Sequence, residues 1–145
     1  MKTILIADDE EPLRRLVQTT LESAEVRILQ AADGEAALEL ARRERPDLIV
    51  LDVMMPRRTG LEVARALRLD PATATLPILM LTGLGQEKDR EEVLALGVSG
   101  YLVKPFSPLE LMKRVQEVLA IAETAENKNE SQPNDRVRIR PAKTA

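Results

Sequence analysis

Apolar residues gather in five short runs, Thr3 to Ala7, Val26 to Ala31, Leu48 to Leu51, Ile78 to Leu81 and Tyr101 to Val103, each followed by polar or turn-forming residues. Runs of this length predict strands rather than helices. The first, third and fourth are almost continuous in Leu, Ile, Val and Met, the pattern of parallel strands covered on both faces. Between the runs the spacing turns helical. Leu13, Leu16, Val17, Thr20 and Leu21 recur on one helical face, and Leu111, Met112, Val115, Val118, Leu119 and Ala122 are spaced in the same way. Ser107 and Glu110 form a capping box with Pro108 at the first helical position, which predicts where the last helix starts. Five strands alternating with five helices predict an α/β fold, a mostly parallel sheet between two helical layers, and right-handed crossovers restrict its winding.

Two segments depart from this regularity. Between Gln86 and Glu92 all but one residue is charged, so the first two turns of the fourth helix have almost no apolar anchor and only Val93, Leu94 and Leu96 remain to pack. Such a run reads either as a solvated helix face or as a locally weak element able to shift when a neighbouring site changes. From about Glu123 the chain turns polar, and residues 122–145 are expected to be a flexible tail or linker after a domain spanning 1–121. The tail ends in Arg136, Arg138, Arg140 and Lys143, too few charges to predict a nucleic-acid surface.

Composition narrows the chemistry. A chain of 145 residues, 44% apolar and 31% charged, can bury a core and suits one domain. No stretch is long and apolar enough to span a membrane, and a cytoplasmic protein with no membrane partner is expected. Cysteine and histidine are both absent, which removes thiol chemistry, zinc–thiolate sites and the side chain that titrates most readily near neutral pH. Acid–base or phosphoryl chemistry must then rest on carboxylates, lysine or a partner. A net charge of −3 implies neither an acidic tail nor a nucleic-acid surface.

The candidate residues stand at strand ends. Asp8 and Asp9 close the first run, Asp52 the third and Thr82 the fourth, and Lys104 follows the fifth. In a parallel sheet these ends share the carboxyl edge, where open α/β folds bind ligands. Three carboxylates brought together repel one another unless a cation sits among them, and all-oxygen ligation suits Mg2+, with Mn2+ as a substitute. A lysine in the same place implies a further anion, for which phosphate is the natural candidate, and Thr82 could donate a hydrogen bond to it. Taken singly, each residue has a plainer reading. Glu10 and Glu11 favour the dipole of the following helix, Asp8 or Asp9 could cap it, and a lone strand-end Asp, Thr or Lys is as readily solvated as functional.

Four blocks together are specific: Asp8-Asp9, then Asp52-Val53-Met54-Met55-Pro56 with Gly60 and Glu62, then Thr82-Gly83, then Lys104-Pro105-Phe106. Their order and spacing resemble the response-regulator receiver domain of two-component signalling over residues 1–121. The resemblance implies a flavodoxin-like sheet of order 2-1-3-4-5. It implies that Asp52 is the phosphoacceptor, that Asp9, Asp52 and the backbone carbonyl of Met54 bind Mg2+, and that Asp8 acts through metal-bound water. Lys104 would contact the phosphoryl group and Thr82 would hydrogen-bond it, while Tyr101 would rotate as Thr82 moves. The Lys104-Pro105 peptide is expected to be cis.

On this reading a sensor histidine kinase or histidine phosphotransfer protein supplies the phosphoryl group. The output is a shift of the face made by helix four, strand five and helix five toward a downstream protein target or a second copy. No turnover of free substrates is expected. Met54 and Leu84 are apolar where the family flanks the path of hydrolytic water, so slow self-dephosphorylation is expected, and Gly83 leaves room for the phosphoryl group. Two alternatives are a receiver that binds partners without being phosphorylated and an aspartate-nucleophile phosphohydrolase. The second resembles an Asp-x-Asp pattern, and here Met54 occupies the position of its second acid. Nothing after residue 121 resembles an effector domain, so the chain is expected to be a stand-alone regulator or a domain of a longer protein.

Overall fold

The computed structural model describes residues 1–83 and 90–130, the last seven of these by backbone alone. The strands are β1 (Lys2–Ala7), β2 (Val26–Ala31), β3 (Leu48–Asp52), β4 (Ile78–Thr82) and β5 (Gly100–Val103). Alternating with them come α1 (Glu11–Leu21), α2 (Gly34–Glu44), α3 (Gly60–Leu69), α4 (Arg90–Ala95) and α5 (Pro108–Glu130). All four strand pairings are parallel, in the order β2-β1-β3-β4-β5. The strands sit within a residue of the predicted runs.

Successive strand residues point to opposite faces, so nearly continuous apolar strands feed two cores. Leu5, Ile49, Leu51, Ile78 and Met80 meet α2, α3 and the single fully buried residue of α4, Val93. Ile4, Ile6, Val50, Leu79 and Leu81 meet Val17 of α1 and Leu111, Val115 and Val118 of α5. The predicted α5 box is present: the Ser107 N–H donates to Glu110 Oε1 at 2.9 Å, and the Glu110 N–H donates to Ser107 Oγ at 3.1 Å. A second box, Thr59 with Glu62, starts α3, and Asp33 caps α2 through the Ala36 N–H at 2.8 Å.

Two expectations need correction. The polar stretch after Glu123, expected as tail or linker, begins as helix, because α5 continues to Glu130; polar residues cost a helix little once an apolar stripe upstream has nucleated and docked it. In α4, Leu94 does not pack but is 51% exposed, because a helix of six residues presents only one stripe to the sheet and Val93 takes it. The charged run from Gln86 falls mostly outside the described residues, as do Leu84 and the basic end of the tail. Among the described residues no helix is long and apolar enough to cross a membrane.

Candidate functional site

Parallel register carries the strand ends to one place. Ala7 lies opposite Leu51, so the residue after β1, Asp8, comes alongside Asp52, while Thr82 lies opposite Val103, the residue before Lys104. Connections leave β1 toward β2 on one side and β3 on the other, and the crevice at such a reversal is where open α/β sheets hold ligands. Backbone bonds fix the edge beyond the strands: the Val53 N–H donates to the Leu81 carbonyl at 2.9 Å and the Lys104 N–H to the Thr82 carbonyl at 2.7 Å.

Asp8, Asp9 and Asp52 bring one carboxylate oxygen each to within 4.8 Å of one another. Asp8 and Asp52 are buried and Asp9 is exposed. Lys104 Nζ bridges the buried pair, 2.9 Å from Asp8 Oδ2 and 2.9 Å from Asp52 Oδ2. The other oxygens are held by backbone: the Glu10 N–H donates to Asp8 Oδ1 at 2.8 Å and the Met54 N–H to Asp52 Oδ1 at 3.1 Å. Asp8 therefore forms a local turn rather than capping α1, whose N-cap is Glu10 without a side-chain cap bond. The Lys104-Pro105 peptide is cis, as expected.

Burial pushes the Asp52 carboxyl up to about 6; the Lys104 hydrogen bond opposes that, and the neighbouring Asp8 charge adds to it. For Lys104, burial works against the ammonium, but hydrogen bonds to Asp52 and Asp8 outweigh it and raise its pKa above the ordinary lysine value. Within the cluster three carboxylates face one ammonium, leaving an excess equal to the charge of one divalent cation. The donors are all hard oxygens, and they fit such an ion.

Glycine makes the site compact. A Cβ on Gly60 would lie 2.0 Å from the Asp52 carbonyl oxygen, so only glycine lets the start of α3 close over the end of β3, where the Gly60 N–H donates to the Val53 carbonyl at 2.8 Å. Thr82 is buried, and its hydroxyl donates to the Gly83 carbonyl at 3.1 Å. Tyr101 is half-buried; its hydroxyl donates to the Arg90 carbonyl at 3.1 Å, and the Arg90 guanidinium lies 5.4 Å from the ring centroid. The Met54 side chain is 55% exposed.

Some contributors were not singled out from the sequence. Glu10, read as a helix-dipole residue, brings Oε1 to 3.9 Å from Lys104 Nζ at the rim of the cluster. Arg14 donates through Nη1 to the Asp8 carbonyl at 2.7 Å. Arg68 ties α3 to the end of α4 through the Leu96 carbonyl at 2.7 Å and to the loop before β4 through the Leu76 carbonyl at 2.8 Å. The Thr59-x-x-Glu62 spacing was a usable capping signal, whereas nothing local marked either arginine.

A 2-1-3-4-5 parallel sheet carrying acids after β1 and at the end of β3, with a lysine after β5, defines the receiver class of α/β domain. The chain belongs to the response regulator receiver domain family, whose model matches residues 4–116. Among curated relatives, the phosphate regulon transcriptional regulatory protein PhoB of Pseudomonas aeruginosa is 43% identical over 118 residues, covering 81% of this chain and 52% of that protein. The alkaline phosphatase synthesis transcriptional regulatory protein PhoP of Bacillus subtilis is 46% identical over 124 residues, 86% of this chain and 51% of its own. The chain thus spans about half the length of these relatives. Among solved structures, the chemotaxis response regulator CheY4 of Vibrio cholerae superposes with a TM-score of 0.76 at 41% identity, covering 81% of this chain and 98% of that one. The receiver domain of a sensor histidine kinase from Pseudomonas aeruginosa, with a magnesium ion coordinated in its active-site cleft, gives 0.74 at 31% identity, 82% and 98% covered.

Proposed function

We propose that this chain is a phosphoacceptor of a two-component phosphorelay. The observation that carries the reading is the Lys104 ammonium held 2.9 Å from both Asp8 and Asp52 beside a third acid. An Asp52 oxygen attacks phosphorus in a partner's phosphohistidine; a P–O bond forms, the P–N bond breaks, and the released imidazole carries away the bonding pair and takes up a proton. Asp52 Oδ1 is aimed by the Met54 N–H, and Lys104 moves its hydrogen bonds from the carboxylates to the transferring oxygens. Asp9, Asp52 and the Met54 carbonyl would hold Mg2+, with Asp8 acting through bound water. When bound, the ion neutralises charge on the transferring group. The direct role of Asp9 agrees with its carboxylate being exposed at the edge of the cluster.

The phosphoryl group adds charge and strong acceptors beside Thr82, whose hydroxyl exchanges the Gly83 carbonyl for a phosphoryl oxygen. Tyr101 then leaves the Arg90 carbonyl and turns inward. The affected face is the one formed by α4, β5 and α5, where Tyr101, Arg90, Val103, Lys113 and Glu117 line a cavity of about 540 Å³. The chain acts in the cytoplasm through a protein target, with no turnover of free substrates, and the apolar Met54 slows hydrolysis of the phosphoaspartate. The test is transfer from a phosphorylated histidine protein. Wild type should be labelled only with Mg2+ present, and Asp52→Asn should not; equal labelling of both would overturn the proposal.

A further inference from the structure

We infer that Arg14 is a positioning residue that sets the affinity of the acid pair for Mg2+, an inference that rests on the receiver reading above. Arg14 lies on α1 outside the cluster and is half-buried. Its Nη1 donates to the Asp8 carbonyl at 2.7 Å, while its Nε donates to Gln30 Oε1 on β2 at 3.0 Å. Gln30 in turn donates to Gln18 Oε1, and the Gln18 amide lies 3.2 Å from both carboxylate oxygens of Glu22. The guanidinium is therefore held from behind by a chain of amides running from β2 along α1.

The atom it holds matters. The Asp8 carbonyl belongs to the planar peptide unit that joins Asp8 to Asp9. Rotating that plane changes ψ of Asp8 and φ of Asp9 together and swings the two carboxylates relative to each other. Asp8 has other restraints, since its carboxylate is fixed by Lys104 and the Glu10 N–H and its own N–H donates to the Ala31 carbonyl at 3.1 Å. Among the described residues Asp9 has no hydrogen bond to aim its carboxylate, so its direction depends on the backbone. A charge-assisted bond from a doubly anchored guanidinium is what fixes that backbone.

Field and geometry predict opposite signs. Arg14 is a cation near a cation site, so if charge were its only effect, removing it would tighten Mg2+ binding. If it positions the acids, removing it weakens binding. The experiment is calorimetric Mg2+ titration of wild type, Arg14→Ala, Gln30→Leu and Arg15→Ala without any phosphodonor, with thermal melts of each. Gln30→Leu keeps the charge and removes the acceptor that orients it, together with the Gln30 bond to Gln18. Arg15 is exposed, and its ion pair is with Glu11, at 2.9 Å.

Arg14→Ala should raise the Mg2+ dissociation constant about tenfold, the lower end of what losing an outer-shell partner costs. Gln30→Leu should move it the same way by less, and Arg15→Ala should leave it unchanged. The Mg2+ concentration giving half-maximal phosphorylation by a small acyl phosphate should rise by the same factors. Tighter or unchanged Mg2+ binding by Arg14→Ala, with or without a lower melting point, overturns the inference, and so does equal weakening by Arg15→Ala. Should Arg14→Ala not fold, Gln30→Leu decides alone, unchanged affinity being the contrary result. If wild type itself binds no Mg2+, the receiver reading falls and this inference with it, whereas failure here with normal wild-type binding leaves that reading standing.

Discussion

Asp52 is a carboxylate placed where ionisation is costly, buried next to the charge of Asp8 and only partly relieved by Lys104. Its folded pKa, about 6, lies above the ordinary value, so the folded state gains protons relative to the unfolded chain between the two. The Asp52 contribution is therefore fully favourable below the unfolded pKa and is lost as pH rises through the folded one. In chelator at pH 7.5, Asp52→Asn should be more stable than wild type by about 1–3 kcal/mol, and the gap should close as pH falls toward about 4. Urea denaturation across that range measures it. Gly60→Ala should act in the other direction, because its methyl meets the Asp52 carbonyl rather than a yielding side chain; a loss of about 3 kcal/mol is expected in the same assay. The three aspartates, the lysine and the threonine were legible in the sequence, because strand-end polar residues stand out against apolar runs. Arg14 and Arg68 were not, since each acts through backbone carbonyls, six and 28 residues away, and no spacing rule reports that.

At the level of elements, α4 is the weak member of the fold. One side chain, Val93, is fully buried, while Arg65 pairs with Glu92 and Arg68 holds the Leu96 carbonyl from α3. Exposed ion pairs contribute little, so the packing of Val93 carries most of the docking. Val93→Ala should cost about 2 kcal/mol and speed amide exchange over Arg90–Ala95 more than elsewhere. Uniform exchange changes across the sheet would contradict the assignment of α4 as a separate weak unit. The strands and the start of α5 were legible because apolar runs and a capping box are local signals. The end of α5 was not, because a helix continues past its last apolar contact at little cost and composition there reads as tail.

For the whole molecule, the periodicities gave a three-layered α/β/α sandwich but no strand order, which parallel sheets of the same content can satisfy in several ways. The order β2-β1-β3-β4-β5 came from the motif resemblance, and the pairing registers bear it out. That order makes the site, since β1 and β3 must be neighbours for Asp8, Asp9 and Asp52 to form one cluster and β5 must end beside β4 for Lys104 to reach it. The account stands on these groups forming a phosphoryl-accepting centre around a divalent cation. Its most direct test is intact and peptide-mapped mass spectrometry after incubation with a small acyl phosphate. One phosphoryl adduct on the peptide containing Asp52, present with Mg2+ and absent with chelator, is the predicted result. An unmodified wild type under those conditions, or the same adduct on Asp52→Asn, would contradict it.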